Sequence, residues 1–228
     1  MTMVMENLME VRKNMEKACR RAGRDPKEVT LIAVSKTKPL SMLQEAYEAG
    51  ARDFGENKVQ EILEKYPGMP ADAKFHMIGH LQRNKVRQVI DKVCLIHSVD
   101  SIRLAEQIEA EAEKKNLQVD ILLEVNVARE ESKYGFFLED LENAVIQISK
   151  FSHIRIKGLM TIAPFVENPE ENRDIFQKLN HFFIDMKSKN IDNVSMSVLS
   201  MGMTGDYQVA IEEGSTMIRV GTGIFGAR

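Results

Sequence analysis

Lys36 closes the run IAVSKTKP, in which apolar, strand-forming residues lead directly to an amine and a turn. If the run is a strand, Lys36 shares a side with Ile32 and Val34, and packing those two into an interior aims the amine at its mouth. A free lysine titrates at about 10.4, so it is almost wholly charged at neutral pH. Apolar surroundings and nearby cations lower that value and make the amine a nucleophile toward an aldehyde or ketone. The other reading is a lysine that ends a strand and points to water.

Arg219, in MIRVGTGIFG, raises a second question. In a strand it faces away from Ile218 and Val220 and alongside Met217, which carries a guanidinium into the interior, where an unpaired charge costs several kcal/mol. A bound anion, a ring nitrogen or a carboxylate such as Glu124 would serve as its partner. Gly221, Thr222 and Gly223 follow at once. Glycines let backbone N–H groups approach a phosphate, and the threonine hydroxyl adds a donor. Ser200 and Gly202 offer the same equipment from SMGMT.

Other patterns are weaker. GTGIFG matches the dinucleotide fingerprint as text, but only Ala227 and Arg228 follow it here, too few for the helix and second strand it requires. His76 and His80 have metal-ligand spacing only on a helix, whereas KFHMIGH reads as strand then loop; we expect no metal, His76 packed inside and His80 free to contact a ligand ring. The five basic residues of HLQRNKVRQVIDK read as a solvated helix face, and the fourteen methionines as core packing. Cys19 and Cys94 form no metal or disulfide pattern and read as two buried, reduced thiols.

These residues need elements to place them. Strands are expected at 30–35, 51–54, 74–78, 94–98, 119–125, 154–160, 194–199 and 217–220, with helical patterns between them. An amphipathic helix carrying Val4, Leu8, Val11, Met15 and Ala18 precedes the first strand and ends at GRDPKE. Eight strand–helix units without a linker predict an α/β fold: a single (β/α)8 TIM barrel over residues 1–228, with an extra N-terminal helix. Active groups of such barrels lie just past the strands, where this chain places Lys36, Glu56 with Asn57, His80, Asn126, Thr161, Ser200 and Gly221.

Composition narrows the classes further. With 228 residues, 43% hydrophobic and 29% charged, the chain is ordinary globular material. A net charge of −3 and a pI near 6.0 argue against a general nucleic-acid binder. Charges interrupt the N-terminal helix, so no signal peptide is expected, and no apolar run reaches membrane-spanning length. A cytoplasmic protein is the expectation.

Taken in order, AVSKTKP, FGENKVQE, FHMIGHLQRNK, NVAREESKYG, GLMTI, LSMGMTGD and GSTMIRVGTGIFGAR resemble the pyridoxal phosphate homeostasis proteins, relatives of the barrel of alanine racemase. The resemblance spans nearly the whole chain. It implies that Lys36 forms a Schiff base with pyridoxal 5′-phosphate (PLP), with Ser200, Gly221, Thr222 and Gly223 cradling the phosphate and Arg219 facing the pyridine nitrogen. It also implies that Asn57 and His80 line the pocket and that Met160 packs near the cofactor. A cation at the ring nitrogen discourages its protonation and weakens the ring as an electron sink. Alanine racemase uses a tyrosine from a second domain as opposing base; of the tyrosines here only Tyr134 and Tyr207 fall in mouth-side segments, and neither carries evidence for that role. Two departures are small: Thr204 stands where the family usually has serine, and Gly223 where alanine is common. Lys133 could lend a second amine during cofactor transfer, or could be a solvated loop lysine.

The expected function is therefore to hold PLP for vitamin B6 and amino-acid homeostasis without turnover, as a monomer, with apo PLP-dependent enzymes as recipients. A PLP-dependent amino-acid racemase or a Schiff-base aldolase is the alternative, since a lysine and a phosphate cup serve either.

Overall fold

The computed structural model describes residues 2–227; Met1 and Arg228, at the ends of the sequence, lie outside it. Eight parallel strands close into a barrel in chain order. They are β1 (Thr30–Val34), β2 (Asp53–Glu56), β3 (Lys74–Met77), β4 (Leu95–Val99), β5 (Val119–Glu124), β6 (Ile154–Met160), β7 (Val194–Ser200) and β8 (Met217–Val220). β8 pairs with β1, Ala33 opposite Val220, and this closure brings the ends of the first and last strands together.

The helices are α1 (Met3–Arg21), α2 (Leu40–Glu48), α3 (Val59–Lys65), α4 (Val86–Val89), α5 (Ile102–Lys115), α6 (Leu138–Ile148), α7 (Arg173–Ser188), α8 (Tyr207–Glu212) and α9 (Thr222–Phe225). Each strand sends alternate side chains to two cores. One lies between barrel and helices; the other fills the interior with Ile32, Val34, Ile78, Leu95, Leu122, Met160 and Met217. The extra helix α1 buries Val4, Leu8, Val11, Ala18 and Cys19 and packs on α8 and α9 beside the barrel seam.

The eight strands and the N-terminal helix are as the sequence predicts, with local differences. The second strand begins two residues later than expected, because Ala51 N–H donates to Ala46 O in closing the end of α2. It then runs through Gly55, where a Cβ would lie 2.8 Å from Ile32 and 2.9 Å from Ile78; glycine is what lets these interior isoleucines meet. In β6, Gly158 has φ +153° and a Cβ there would strike Val198 O, at a shift in the β6–β7 register. The basic stretch after β3 is a 3-10 turn, Arg83–Lys85, followed by the single turn of α4, with Val86 and Val89 buried and Arg83 and Arg87 exposed. Cys94 departs from expectation: it precedes β4 at the strand's open end and is exposed, its thiol donating to Phe75 O at 3.3 Å, whereas Cys19 is buried. No helix among the described residues is long and apolar enough to cross a membrane.

Candidate functional site

Lys36 leaves β1 partly buried, and both of its neighbours are tied down. Ser35 Oγ donates to Glu56 Oε1 at 2.6 Å, and Thr37 N–H donates to Glu61 Oε2 at 2.7 Å. Lys65, 6% exposed, joins the two carboxylates: its ammonium donates to Glu56 Oε1, Glu61 Oε2 and Ser35 O, each at 2.8 Å. Thr37 has φ +65°, a left-handed conformation that costs a non-glycine residue roughly 1 kcal/mol or more. The bond to Glu61 holds that strained turn, so the direction in which the chain presents Lys36 is set from behind the barrel wall. Burial raises the Glu56 carboxyl to about 7, and its Oε2 has no hydrogen-bond partner among the described residues.

Across the seam from β1, Gly221 begins the loop after β8. A Cβ on Gly221 would come within 3.2 Å of Val34 O, and one on Gly223 within 3.0 Å of Val220 and 3.2 Å of Thr204 Cγ2. The N–H groups of Gly221 and Gly223 both point at one oxygen, Thr204 Oγ1, at 3.3 Å each. Two amides converging on one oxygen, on backbone where even a Cβ would be tightly fitted, make a cup suited to a phosphate oxygen, whose place the hydroxyl takes. Thr222 is exposed at its edge. Sequence alone marks Thr204 as no more than a small replacement in a loop. The signal that could have found it is a hydroxyl two residues after Gly202, in the turn past β7 that adjoins a Gly-x-Gly after β8.

Arg219 points into the barrel as its position beside Met217 implies, 4% exposed. Its guanidinium donates to Ser200 Oγ at 2.7 Å and to Thr161 O at 2.8 Å. Burial pushes its pKa down to about 10, still cationic at neutral pH. Glu124 is near enough to act on it electrostatically but forms no ion pair with it among the described residues. Burial, then Asp100, raises Glu124 to about 7. The strands place Glu124, Met160, Ser200 and Met217 opposite one another in register, so Met160 is an interior residue under the mouth. Ser200 is fully buried, and its hydroxyl is engaged by Arg219 and, at 3.0 Å, by His97 Nδ1. Ser200 thus serves Arg219, while Thr204 supplies the oxygen at the glycine loop.

Asn57 and His80 come together elsewhere on the rim. A Cβ on Gly79 would lie 2.4 Å from Asn57 O, so the loops after β2 and β3 touch there. They line a cleft of about 310 Å³ with Lys58, Gln60, Gln82 and Lys85. His80 is more engaged than expected: its Nδ1 is 2.9 Å from Asp100 Oδ2, and its ring stacks on Tyr134 at 3.9 Å. Tyr207 is buried on α8. Lys133 is held by Glu130 at 2.6 Å and reaches Ile162 O and Ala163 O at 3.4 Å, which straps the loop after β5 to the exit of β6.

This geometry can be set beside known proteins. The family model for the alanine racemase N-terminal domain matches residues 7–228. A pyridoxal phosphate homeostasis protein of Aquifex aeolicus is 43% identical over 224 residues, covering 98% of this chain and 97% of that protein. The chain belongs to the pyridoxal phosphate homeostasis protein family. Among solved structures, an unknown protein from Bifidobacterium adolescentis superposes with a TM-score of 0.94 at 35% identity, covering 98% of this chain and 94% of that one. PipY of Synechococcus elongatus PCC7942, solved with PLP bound, has a TM-score of 0.80 at 35% identity, covering 93% of this chain and 100% of PipY.

The residues present fit such a cofactor. An amine on a braced turn, a two-amide cup across one strand seam, and a buried cation bonded only to neutral acceptors match an aldehyde, a phosphate and a pyridine nitrogen in turn.

Proposed function

We propose that this protein holds PLP through a Schiff base at Lys36 and serves intracellular vitamin B6 and amino-acid homeostasis without turnover, as one PLP-binding unit over residues 1–228. The observation that carries the reading is the convergence of the Gly221 and Gly223 amides on a single oxygen beside the strand that delivers Lys36. Membership of the family and the PLP-bound relative PipY support it.

When bound, PLP supplies a reactive aldehyde and an electron-withdrawing ring. The amine of Lys36 takes the aldehyde, which keeps it from stray nucleophiles. Gly221, Thr222 and Gly223 would grip the phosphate, an oxygen of which would take the place that the Thr204 hydroxyl holds before the two amides. Arg219 presents N–H donors to the ring nitrogen and so disfavours its protonation, while Ser200 fixes the guanidinium and Met160 packs beneath. Asn57 and His80 form the rim. Holding is favoured over turnover because a donor-only residue at the ring nitrogen weakens carbanion chemistry. The protein acts as a cytoplasmic monomer, and apo PLP-dependent enzymes are its recipients.

Borohydride reduction of the PLP-loaded protein, followed by intact-mass measurement and peptide mapping, is expected to give one reduced pyridoxyl phosphate group on Lys36, absent in Lys36→Ala. A label on another lysine, or none, overturns the attachment. Racemisation of a single-enantiomer amino acid by the loaded protein, lost in Lys36→Ala, would replace holding with the racemase reading.

A further inference from the structure

Five polar side chains form one unbroken chain through the barrel interior. Arg219 donates to Ser200 Oγ at 2.7 Å; Ser200 Oγ meets His97 Nδ1 at 3.0 Å; His97 Nε2 meets His76 Nδ1 at 3.1 Å; and His76 Nε2 meets Asp53 Oδ1 at 3.0 Å. His97 and Ser200 are fully buried, His76 is 2% exposed, and Asp53 sits at the start of β2, at the end of the barrel opposite the mouth. The proposed function uses only the first of these links.

The direction of every bond follows from the two ends. A guanidinium can only donate, so Ser200 Oγ accepts from it and has one hydrogen of its own to place. Among the described residues its remaining partner is His97 Nδ1, which must accept. Neutral His97 then carries its proton on Nε2 and donates to His76 Nδ1. His76 in turn carries its proton on Nε2 and donates to the Asp53 carboxylate. The contact of Cys94 Sγ with His76 Nε2 at 3.4 Å fits the same assignment, since that thiol donates to Phe75 O and leaves its sulfur as acceptor. A proton added to His76 would reverse the histidine bonds and leave the Ser200 hydrogen without an acceptor. Burial, with His76 and Arg219 adding to it, holds His97 well below the ordinary histidine range, in keeping with a neutral ring.

We propose that His97, oriented through His76 by Asp53, is a positioning residue for Arg219: a one-way hydrogen-bond relay from the barrel floor fixes the Ser200 hydroxyl as an acceptor and thereby sets the guanidinium that faces a cofactor ring. The functional half of this statement rests on the reading of Arg219 as the residue at the PLP nitrogen. The relay itself stands on the protein alone. A histidine bonded at both nitrogens is locked in tautomer and ring orientation, which is how outer partners steer the group in direct contact with a cofactor.

Two measurements test it. In 15N-histidine-labelled protein without PLP, at neutral pH, His76 and His97 are both expected to show the Nε2–H pattern, and Ser200→Ala is expected to shift the His97 signals. An Nδ1–H or doubly protonated His97 overturns the relay. In PLP-loaded protein, His97→Leu is expected to move the absorption maximum and to weaken PLP retention about tenfold, the scale of one hydrogen bond to a charged group. His97→Gln, whose amide can accept and donate in the same places, is expected to restore both. A wild-type spectrum and affinity in His97→Leu overturn the positioning role. Wild-type protein that takes up no PLP instead sinks the reading of the site, and the imidazole signals then decide the relay separately.

Discussion

Two buried cations among the described residues, Lys65 and Arg219, have opposite bonding. Lys65, between barrel and α3, spends its three N–H donors on Glu56, Glu61 and Ser35 O. Arg219, inside the barrel, places two side-chain bonds, both on neutral acceptors, and pairs with no carboxylate among the described residues. Lys65 is therefore saturated and holds structure in place. Arg219 retains donor capacity, and the carboxylates that act on its charge, Asp206 and then Glu124, do so without an ion pair among the described residues, which is the condition for a ligand. Burial of a charge does not mark a site by itself; what its partners leave over does.

The largest expected effect that could break this contrast is at Lys65. Lys65→Met leaves two carboxylates behind the Lys36 turn without their cation, and denaturant unfolding should show a loss of about 3–5 kcal/mol. A loss below about 1 kcal/mol would mean that the cluster does not hold the turn.

Glu124 sharpens the contrast through pH. Its folded value of about 7 lies above the ordinary 4.5, so between these values the folded protein keeps a proton that the unfolded chain has lost. Its contribution is fully present below about pH 4.5, declines as pH rises, and is gone above about 7, on the order of 3 kcal/mol in all. Glu124→Gln should flatten the decline in stability across that window, leaving the part due to Glu56, which burial raises in the same direction. An unchanged slope would show that Glu124 is ionised throughout and already compensates Arg219.

The smallest expected change in stability is at Arg219. Arg219→Met removes a desolvated cation and frees Thr161 O, and these opposing terms should leave stability within about 1 kcal/mol of wild type while the spectrum of bound PLP changes. A loss as large as that of Lys65→Met would make the two cations equivalent and end the comparison.

Much of this was legible beforehand because strand alternation is a local rule. The parity of Lys36 with Ile32 and Val34, and of Arg219 with Met217, follows from spacing alone, and Ile32, Val34, Met217 and Arg219 lie inside the barrel, where that rule sends them. The expected packing of His76 inside agrees with the side it shares with Ile78, and the same rule would have flagged His97, which shares a side with Leu95. What it lacked was register. Whether Ser200 serves the glycine loop or Arg219 depends on strands far apart in sequence meeting across the barrel, and the exposure of Cys94 depends on where β4 begins.

The order of residue types by itself determined eight strand–helix units, the inward aim of one arginine, and a glycine loop after the last strand, because backbone alternation and chain connectivity need no distant partner. Only the tertiary structure decided which buried cation is saturated, which hydroxyl stands before the two amides, and that two histidines link Arg219 to Asp53. Those outcomes are hydrogen-bond assignments between side chains brought within about 3 Å by barrel closure, and closure is a property of all eight strands together.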